Sequence, residues 1–239
     1  MMINKVNLYP NQYSYSFTGY ARVRNSLYKD TFELSSAANK ILSGKNPSFG
    51  IGNTGLKQTL YYQKHGIIHK HTKLADGFMD GGKGAHISSN ADIKSKREII
   101  VVDRTKDQVL QSMIDEVKTK TKDMSETDKI KELFSYMVNK SKHTYSKNYS
   151  NKAILNANKK VLVGDCINDP YHEARHASIV FKIIADEIGI KSDLVKGTFL
   201  GKKHAWNVVY QKGKRPYIYD VAQGLIEDYK HTRLYVRAK

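Results

Sequence analysis

The stretch between Asp169 and Val221 constrains the fold of this chain more than any other part of the sequence. Asp169-Pro170 offers a cap and a first residue for a long helix, which Gly189 ends after Ile188. Three strand-like runs follow: Asp193–Phe199, His204–Tyr210 and Tyr217–Val221. Residues 211–216, between the last two runs, are typical of a hairpin turn. A helix followed by a series of antiparallel strands predicts an α+β domain.

The residues before this stretch divide into two parts. From Arg97 onward, the sequence predicts a buried strand at Glu98–Asp103 and a helix at Thr105–Lys118, and the capping residues Ser125–Asp128 indicate the start of another helix. In residues 1–95, glycine, serine and asparagine interrupt every candidate element. We therefore expect an N-terminal extension or accessory region over 1–95 and the main domain over 96–239.

Composition excludes several classes of protein. The 239 residues carry a formal net charge of +17 and a single cysteine, Cys166, which excludes an intramolecular disulfide framework. The basic residues are mostly lysines spread along the chain, and no nucleic-acid-binding motif accompanies them. No apolar run is long enough for a membrane span, and no signal-peptide pattern is present. We expect a protein that stays in the cytoplasm of its producer or leaves it by a leaderless route.

Two of the strand-like runs carry residues suited to catalysis. His204 is near the start of one strand and Asp220 is at the end of the next, so a hairpin would bring the imidazole and the carboxylate side by side. A thiol nucleophile needs such an imidazole to take its proton and a carboxylate to orient that imidazole. The alternative interpretation is that His204 is an ordinary strand histidine and Asp220 a turn carboxylate.

Short motifs occur in a recognisable order through this stretch. They are Arg175-His176, Phe181-Lys182, Ala185-Asp186, Gly189, Leu194–Gly197, His204–Asn207, Tyr217–Asp220 and Gly224–Ile226. In this order they resemble the transglutaminase-like cysteine peptidases, and most closely the peptidase-like domain of plant disease-resistance kinases and its bacterial relatives. The resemblance covers roughly residues 97–226 and implies a papain-like core, in which a nucleophile helix packs on an antiparallel sheet.

Two positions compete for the nucleophile that the resemblance implies. Counting back from Arg175-His176 places the family's cysteine at Ala174, where the helix dipole would favour a thiolate. Cys166 is the alternative, but Pro170 predicts that the helix begins after it and leaves its thiol in a loop. With alanine at the nucleophile position, through engineered inactivation or as a natural pseudoenzyme, the printed chain is expected to be inert.

The resemblance also implies an activity. A cysteine at position 174 would work with His204 and Asp220 on a protein amide, as a protease, a glutamine deamidase or a transglutaminase, without a cofactor. Trp206 would line the acyl site or serve as a core anchor. The expected partner is a protein substrate, with no clear nucleic-acid partner and no membrane span. A lysine-rich chain without a leader is typical of a bacterial effector or toxin.

Two alternatives to this hypothesis stay open. His172-Glu173-Ala174-Arg175-His176 matches H-E-x-x-H, which on one helical face would hold zinc in a metalloprotease, with Glu173 as general base. No convincing third ligand follows that motif. The second alternative is a non-catalytic basic binding module, for which His204 would have no role.

Overall fold

The computed structural model describes residues 53–81, 98–141, 159–167 and 172–238. The helix start predicted at Asp169-Pro170 lies outside them. Five helices are present in the described part: α1 Asn53–His65, α2 Gln108–Thr121, α3 Glu126–Lys140, α4 Val163–Ile167 and α5 Ala174–Glu187. Among these helices, none is both long enough and apolar enough to cross a membrane.

Capping residues explain where two helices begin, and of these Ser125 was predicted from the sequence. Asp107 caps α2 by accepting a hydrogen bond from the backbone N–H of Leu110, and Ser125 caps α3 by accepting one from Asp128. Each helix buries one apolar stripe, as the spacing predicts. The buried residues are Leu110, Met113, Ile114 and Val117 in α2, and Ile130, Leu133, Phe134, Met137 and Val138 in α3.

Nine strands form two sheets in the described residues. They are β1 Ile67–Ile68, β2 Met79–Asp80, β3 Ile99–Val101, β4 Lys160–Leu162, β5 Lys191–Phe199, β6 Lys202–Tyr210, β7 Tyr217–Asp220, β8 Leu225–Asp228 and β9 Tyr235–Arg237. The larger sheet has the order β1-β5-β6-β7-β8, with β9 also paired to β5, and all its pairs are antiparallel. In the smaller sheet β2 is antiparallel and β4 parallel to β3. The predicted α+β class is confirmed.

Helix α5 lies at the centre of the fold. Every residue from His176 to Asp186 is buried, so this helix is covered on all sides rather than along one stripe. It packs on one face of the larger sheet, where Phe181 stacks on Tyr219 with 6.2 Å between the ring centroids. The other face of that sheet carries a second apolar cluster: Ile67, Val195, Trp206, Val208, Ile218 and Tyr235.

Residues before position 95 contribute to this same body. β1 pairs with β5, and the side chains of Tyr62, Leu74 and Phe78 join the apolar cluster around α5. The backbone N–H of Leu74 also donates to Asp186 Oδ2 at 2.9 Å. The compact fold therefore begins before the boundary predicted at residue 95, because the edge of β5 and the carboxylate of α5 take their partners from residues 67–74. The division into an accessory region and a main domain stays a prediction.

β9 returns to the sheet beside a glycine. It pairs with the last part of β5, where Gly197 lies opposite Arg237. A Cβ atom on Gly197 would lie 2.0 Å from the carbonyl oxygen of Val236, far inside van der Waals contact. The absence of a side chain at position 197 is therefore what allows β9 to approach β5.

Candidate active site

Helix α5 begins at Ala174, four residues later than the sequence predicts. Glu173 is extended, with φ −114° and ψ 173°, and its backbone N–H donates to His176 Nδ1 at 2.7 Å. This is one half of a capping box built by residues outside the usual Ser, Thr, Asp or Asn choice, so residue preferences do not mark this helix start. Ala174 is thus the first helical residue, where the dipole field favours an anion.

Cys166 lies in the short helix α4 rather than in a loop, so that prediction is wrong. Its side chain is buried, and α4 is fastened from outside by Asp107, whose Oδ2 accepts a hydrogen bond from the backbone N–H of Gly164 at 2.7 Å. A Cβ atom on Gly164 would lie 2.2 Å from the other oxygen of Asp107. Burial keeps the Cys166 thiol away from a protein substrate, which favours position 174 for the nucleophile.

The structure brings His204 and Asp220 together, as the hairpin predicts. His204 Nε2 lies 2.6 Å from Asp220 Oδ2, and the aspartate is fully buried. The other oxygen of Asp220 accepts a hydrogen bond from the backbone N–H of Gln223 at 3.1 Å. Within the described residues no hydrogen bond uses His204 Nδ1. The carboxylate therefore orients the ring through Nε2, and Nδ1 is the nitrogen available to take a proton.

Tyr235 is a member of this site that the sequence reasoning missed. Its hydroxyl donates to Asp220 Oδ2 at 2.8 Å, the same oxygen that meets His204. Burial, together with the Asp220 charge, raises the pKa of Tyr235 well above its ordinary value, so the phenol keeps its proton. Tyr235 belongs to a three-residue strand, too short for a periodic pattern. An isolated aromatic residue near the C-terminus was the only signal.

Aromatic rings surround the imidazole. Phe199 lies 5.4 Å and Trp206 6.4 Å from the His204 ring centroid, and Tyr235 packs edge-on against Trp206 at 5.1 Å. Trp206 is buried within the second apolar cluster, as its alternative role as a core anchor predicts. Its indole ring stacks with the His204 imidazole. Its role as a wall of the acyl site stays a prediction.

The start of α5 and the start of β6 lie at the same end of the sheet. A short connection joins the end of α5 to Lys191, so β5 runs back along the helix. β6 is antiparallel to β5, with Lys191 opposite Tyr210 and Phe199 opposite Lys202. The first residues of β6, including His204, therefore lie away from the C-terminal end of α5 and towards its N-terminal end.

A hydrogen bond between helix and strand fixes this arrangement. Asn207 Nδ2 donates to the carbonyl oxygen of Ser178 at 3.1 Å. Ala174 is one helical turn, about 6 Å, before Ser178, and His204 is about 10 Å before Asn207 along the strand. Because strand residues alternate, His204 faces the side of the sheet opposite to Asn207 and α5. The structure joins His204 to Asp220 directly and brings Ala174 to the same end of the sheet, on the other face.

The zinc alternative requires both histidines of H-E-x-x-H on one helical face, and that requirement is not met. α5 begins at Ala174, so His172 and Glu173 precede it. Both nitrogens of His176 are engaged: Nδ1 accepts from Glu173 N–H, and Nε2 lies 2.9 Å from Glu98 Oε1. Within the described ranges, the His, Cys, Asp and Glu side chains form no group of three or more that could hold a metal ion.

Comparison with known proteins yields a family. The sequence model described as EDR1/CTR1/ARMC3, peptidase-like, matches residues 85–224, which is more than half of the chain. Neither curated proteins nor solved structures give a match to this sequence. The matched segment contains α5, the β5–β7 strands, Ala174, His204 and Asp220, and it ends before Tyr235. The predicted relation to the peptidase-like domain of plant kinases is confirmed: this chain belongs to the EDR1/CTR1/ARMC3 peptidase-like family.

Proposed function

We propose that the active form of this protein is a cysteine hydrolase or acyltransferase that acts on protein amides, with its nucleophile at position 174. The observation that carries the proposal is the His204–Asp220 pair, whose imidazole is oriented through Nε2 and keeps Nδ1 for another partner. The helix start at Ala174 lies at the same end of the sheet but on its other face, so the proposed proton transfer passes around the start of β6. A general base with its orienting carboxylate and a helix N-terminus are what thiol chemistry requires.

The mechanism follows from these roles. With cysteine at position 174, His204 takes the thiol proton, and the thiolate attacks the amide carbonyl to form a C–S bond. Backbone N–H groups at the start of α5 stabilise the oxyanion. The C–N bond then breaks as the imidazolium returns its proton to the leaving amine, and Asp220 stabilises the charged ring throughout. Water or a second amine next attacks the thioester and regenerates the thiol.

The acceptor in that last step decides the type of reaction. Water gives proteolysis or glutamine deamidation, and an amine gives transamidation. We propose a protein as the substrate and a bacterial effector or toxin as the setting. Ala174 has a methyl group in place of the thiol, so the printed chain is expected to bind substrate without turning it over.

The test is the pH dependence of thiol alkylation by iodoacetamide in a Cys166→Ser background. The variants are Ala174→Cys, Ala174→Cys with His204→Ala, and Glu126→Cys as the control. Glu126 is the first residue of α3, so a thiol there lies at a helix N-terminus but is not paired with His204. We expect position 174 to have the lower thiol pKa, and we expect the difference to vanish without His204.

Two results would contradict the proposal. Equal thiol pKa values at positions 174 and 126 would show that the imidazole does not reach position 174 around the end of β6. Rapid alkylation of Cys166 in the printed chain would place the nucleophile eight residues earlier. Amide hydrolysis or amine incorporation by the Ala174→Cys variant, measured on casein, then distinguishes the three possible reactions.

A further inference from the structure

An exposed apolar surface lies at the end of the sheet that carries His204. Leu200, in the turn between β5 and β6, is 57% exposed, and Val236 of β9 is 59% exposed. Leu234 lies opposite Leu200, because its carbonyl oxygen accepts the backbone N–H of Leu200 at 3.0 Å, and it precedes Val236 by two residues. These three residues, here called the hairpin rim, are three of the seven large apolar side chains that the described residues expose. Apolar residues gathered in this way indicate a contact surface.

Leu200 is unfavourable for folding in two respects. It has φ +50°, the only positive value outside glycine in the described chain, and its neighbour Gly201 has φ +76°. A two-residue turn of this kind favours Asn-Gly, since asparagine tolerates the left-handed region and leucine does not. Leu200 also leaves most of its apolar surface in water. Backbone strain combined with exposure of an apolar side chain indicates a residue kept for binding.

The exposed charged residues within the chain segments that form the hairpin rim are basic. Lys202, Lys203, Arg233 and Arg237 are all exposed, and no ion pair in the described part of the chain includes them. Residues 196–205 and 229–238 contain no aspartate or glutamate. In the pairing register Thr198 lies between Lys203 on β6 and Val236 on β9, so a basic and an apolar side chain border the same strand position. An acidic partner complements this field.

The rim lies at the same end of the sheet as the catalytic pair, and Leu234 and Val236 face the side opposite to His204 and Tyr235. Phe199, the residue before Leu200, contacts both the His204 ring at 5.4 Å and the Tyr235 ring at 4.8 Å. β9 pairs only with β5 among the described strands, so its outer edge can accept an extended chain. Leu234, Val236, Arg233 and Arg237 all lie beyond the segment that the family shares.

We infer that the hairpin rim binds an extended, acidic segment of the protein substrate that carries an apolar side chain, and holds it at the end of the sheet where β6 and α5 begin. This inference rests on the proposed function and adds the chemical class of the substrate. The apolar side chain packs on Leu200 and Val236, while the flanking carboxylates meet the surrounding lysines and arginines. Leu200, Lys202 and Lys203 lie within the segment that the family model matches, whereas the β9 part of the surface lies beyond it.

Binding to the printed chain tests the inference without any chemistry. Fluorescence anisotropy is measured with two labelled peptides of equal length, one alternating glutamate and leucine, the other lysine and leucine. We expect the acidic peptide to bind and the basic one not to bind. Leu200→Asn keeps the turn, so the melting temperature should be unchanged or higher, whereas affinity should fall about tenfold through the lost apolar contact.

Charge reversal provides the second arm. Lys203→Glu with Arg237→Glu should weaken the acidic peptide severalfold at low salt, and less at high salt. Lys191→Glu with Lys212→Glu is the matched control, because both lysines are exposed at the opposite end of β5 and β6 and the net charge changes equally. An equal loss in the control would reduce the effect to general attraction by a basic chain and overturn the inference.

The other possible results of these measurements also support or overturn the inference. Unchanged affinity in Leu200→Asn overturns the inference, and displacement of the peptide by polyuridylate, insensitive to Leu200→Asn, would assign the basic residues to nucleic acid instead. Peptide binding without thiol activation at position 174 would support the hairpin rim as a binding surface and contradict the proposed enzymatic function. Thiol activation without peptide binding would support the proposed enzymatic function and contradict the role of the hairpin rim in binding.

Discussion

The buried ionic contacts of α5 and the buried His204–Asp220 pair on the sheet are made by similar side chains, but their roles differ. At the start of α5, His176 contacts Glu98 at 2.9 Å and has its second nitrogen occupied by Glu173 N–H. On the sheet, His204 contacts Asp220 at 2.6 Å through one nitrogen. The contacts at both nitrogens of His176 give it a structural role at the start of α5. A histidine with one nitrogen uncommitted can transfer a proton.

The later turns of α5 extend the contrast. Lys182 Nζ lies 2.5 Å from Asp186 Oδ1, and both side chains are buried. Burial lowers the pKa of Lys182 and raises that of Asp186, each towards its neutral form. These residues belong to the Phe181-Lys182 and Ala185-Asp186 pairs through which the sequence resembles the family. Their place inside the central helix gives them a structural role in this chain.

Breaking the helical pair should have the largest effect. Lys182→Met leaves the buried Asp186 carboxylate with the Leu74 N–H alone, and should lower the free energy of unfolding by about 3–5 kcal/mol in urea titrations. Lys182→Met with Asp186→Leu should recover most of that loss. Lys118→Met is the control, because Lys118 is exposed beside Glu187 and should cost about 1 kcal/mol or less. Equal losses at positions 182 and 118 would contradict this prediction.

An intermediate effect is expected for Tyr235→Phe, which removes one donor from Asp220. Loss of a hydrogen bond to a buried carboxylate should cost about 1.5–3 kcal/mol of unfolding free energy. In the Ala174→Cys background it should also slow iodoacetamide alkylation, because the carboxylate that orients His204 is less firmly held. Tyr210→Phe is matched, since Tyr210 donates to the buried Asp193 at 2.7 Å. If both variants slow alkylation equally, Tyr235 has no special relation to the site.

The smallest effect concerns pH. Burial lowers the pKa of His176 below its ordinary 6.5, against the opposing influence of Glu98. The unfolded chain therefore binds more protons than the folded one below pH 6.5, so this contribution is complete above that pH and declines as the pH falls. The slope from this single group is at most about 1.4 kcal/mol per pH unit. His176→Asn, which keeps an acceptor for Glu173 N–H, should flatten the unfolding free energy over that range, whereas the exposed His71→Asn should not. A slope that persists in His176→Asn assigns the effect to another group.

Local sequence signals predicted the elements that carry their own periodicity or caps. α2, α3 and the β5–β7 strands lie close to their expected positions, and the hairpin correctly paired His204 with Asp220. These elements are specified by residues near them in the sequence. The same holds for the end of α5 at Gly189, which adopts φ +80°.

The missed elements depend on distant contacts. α1 buries the polar Gln58 and Thr59, whose side chains bond to residues 73–79, so no apolar stripe reveals it. β1 and β9 have two and three residues and exist because β5 offers them an edge. The start of α5 depends on an extended Glu173 and a capping histidine, a combination that residue preferences do not identify.

Gly197 carries information about relatives of this protein. Its Cβ position is occupied by the carbonyl of Val236, so a larger residue there is incompatible with the present course of β9. In any related sequence, the residue aligned with position 197 therefore diagnoses whether the C-terminal strand can return to the sheet. Relatives with a side chain at that position must hold their aspartate without a tyrosine from this direction, and they must present a different surface beside the histidine.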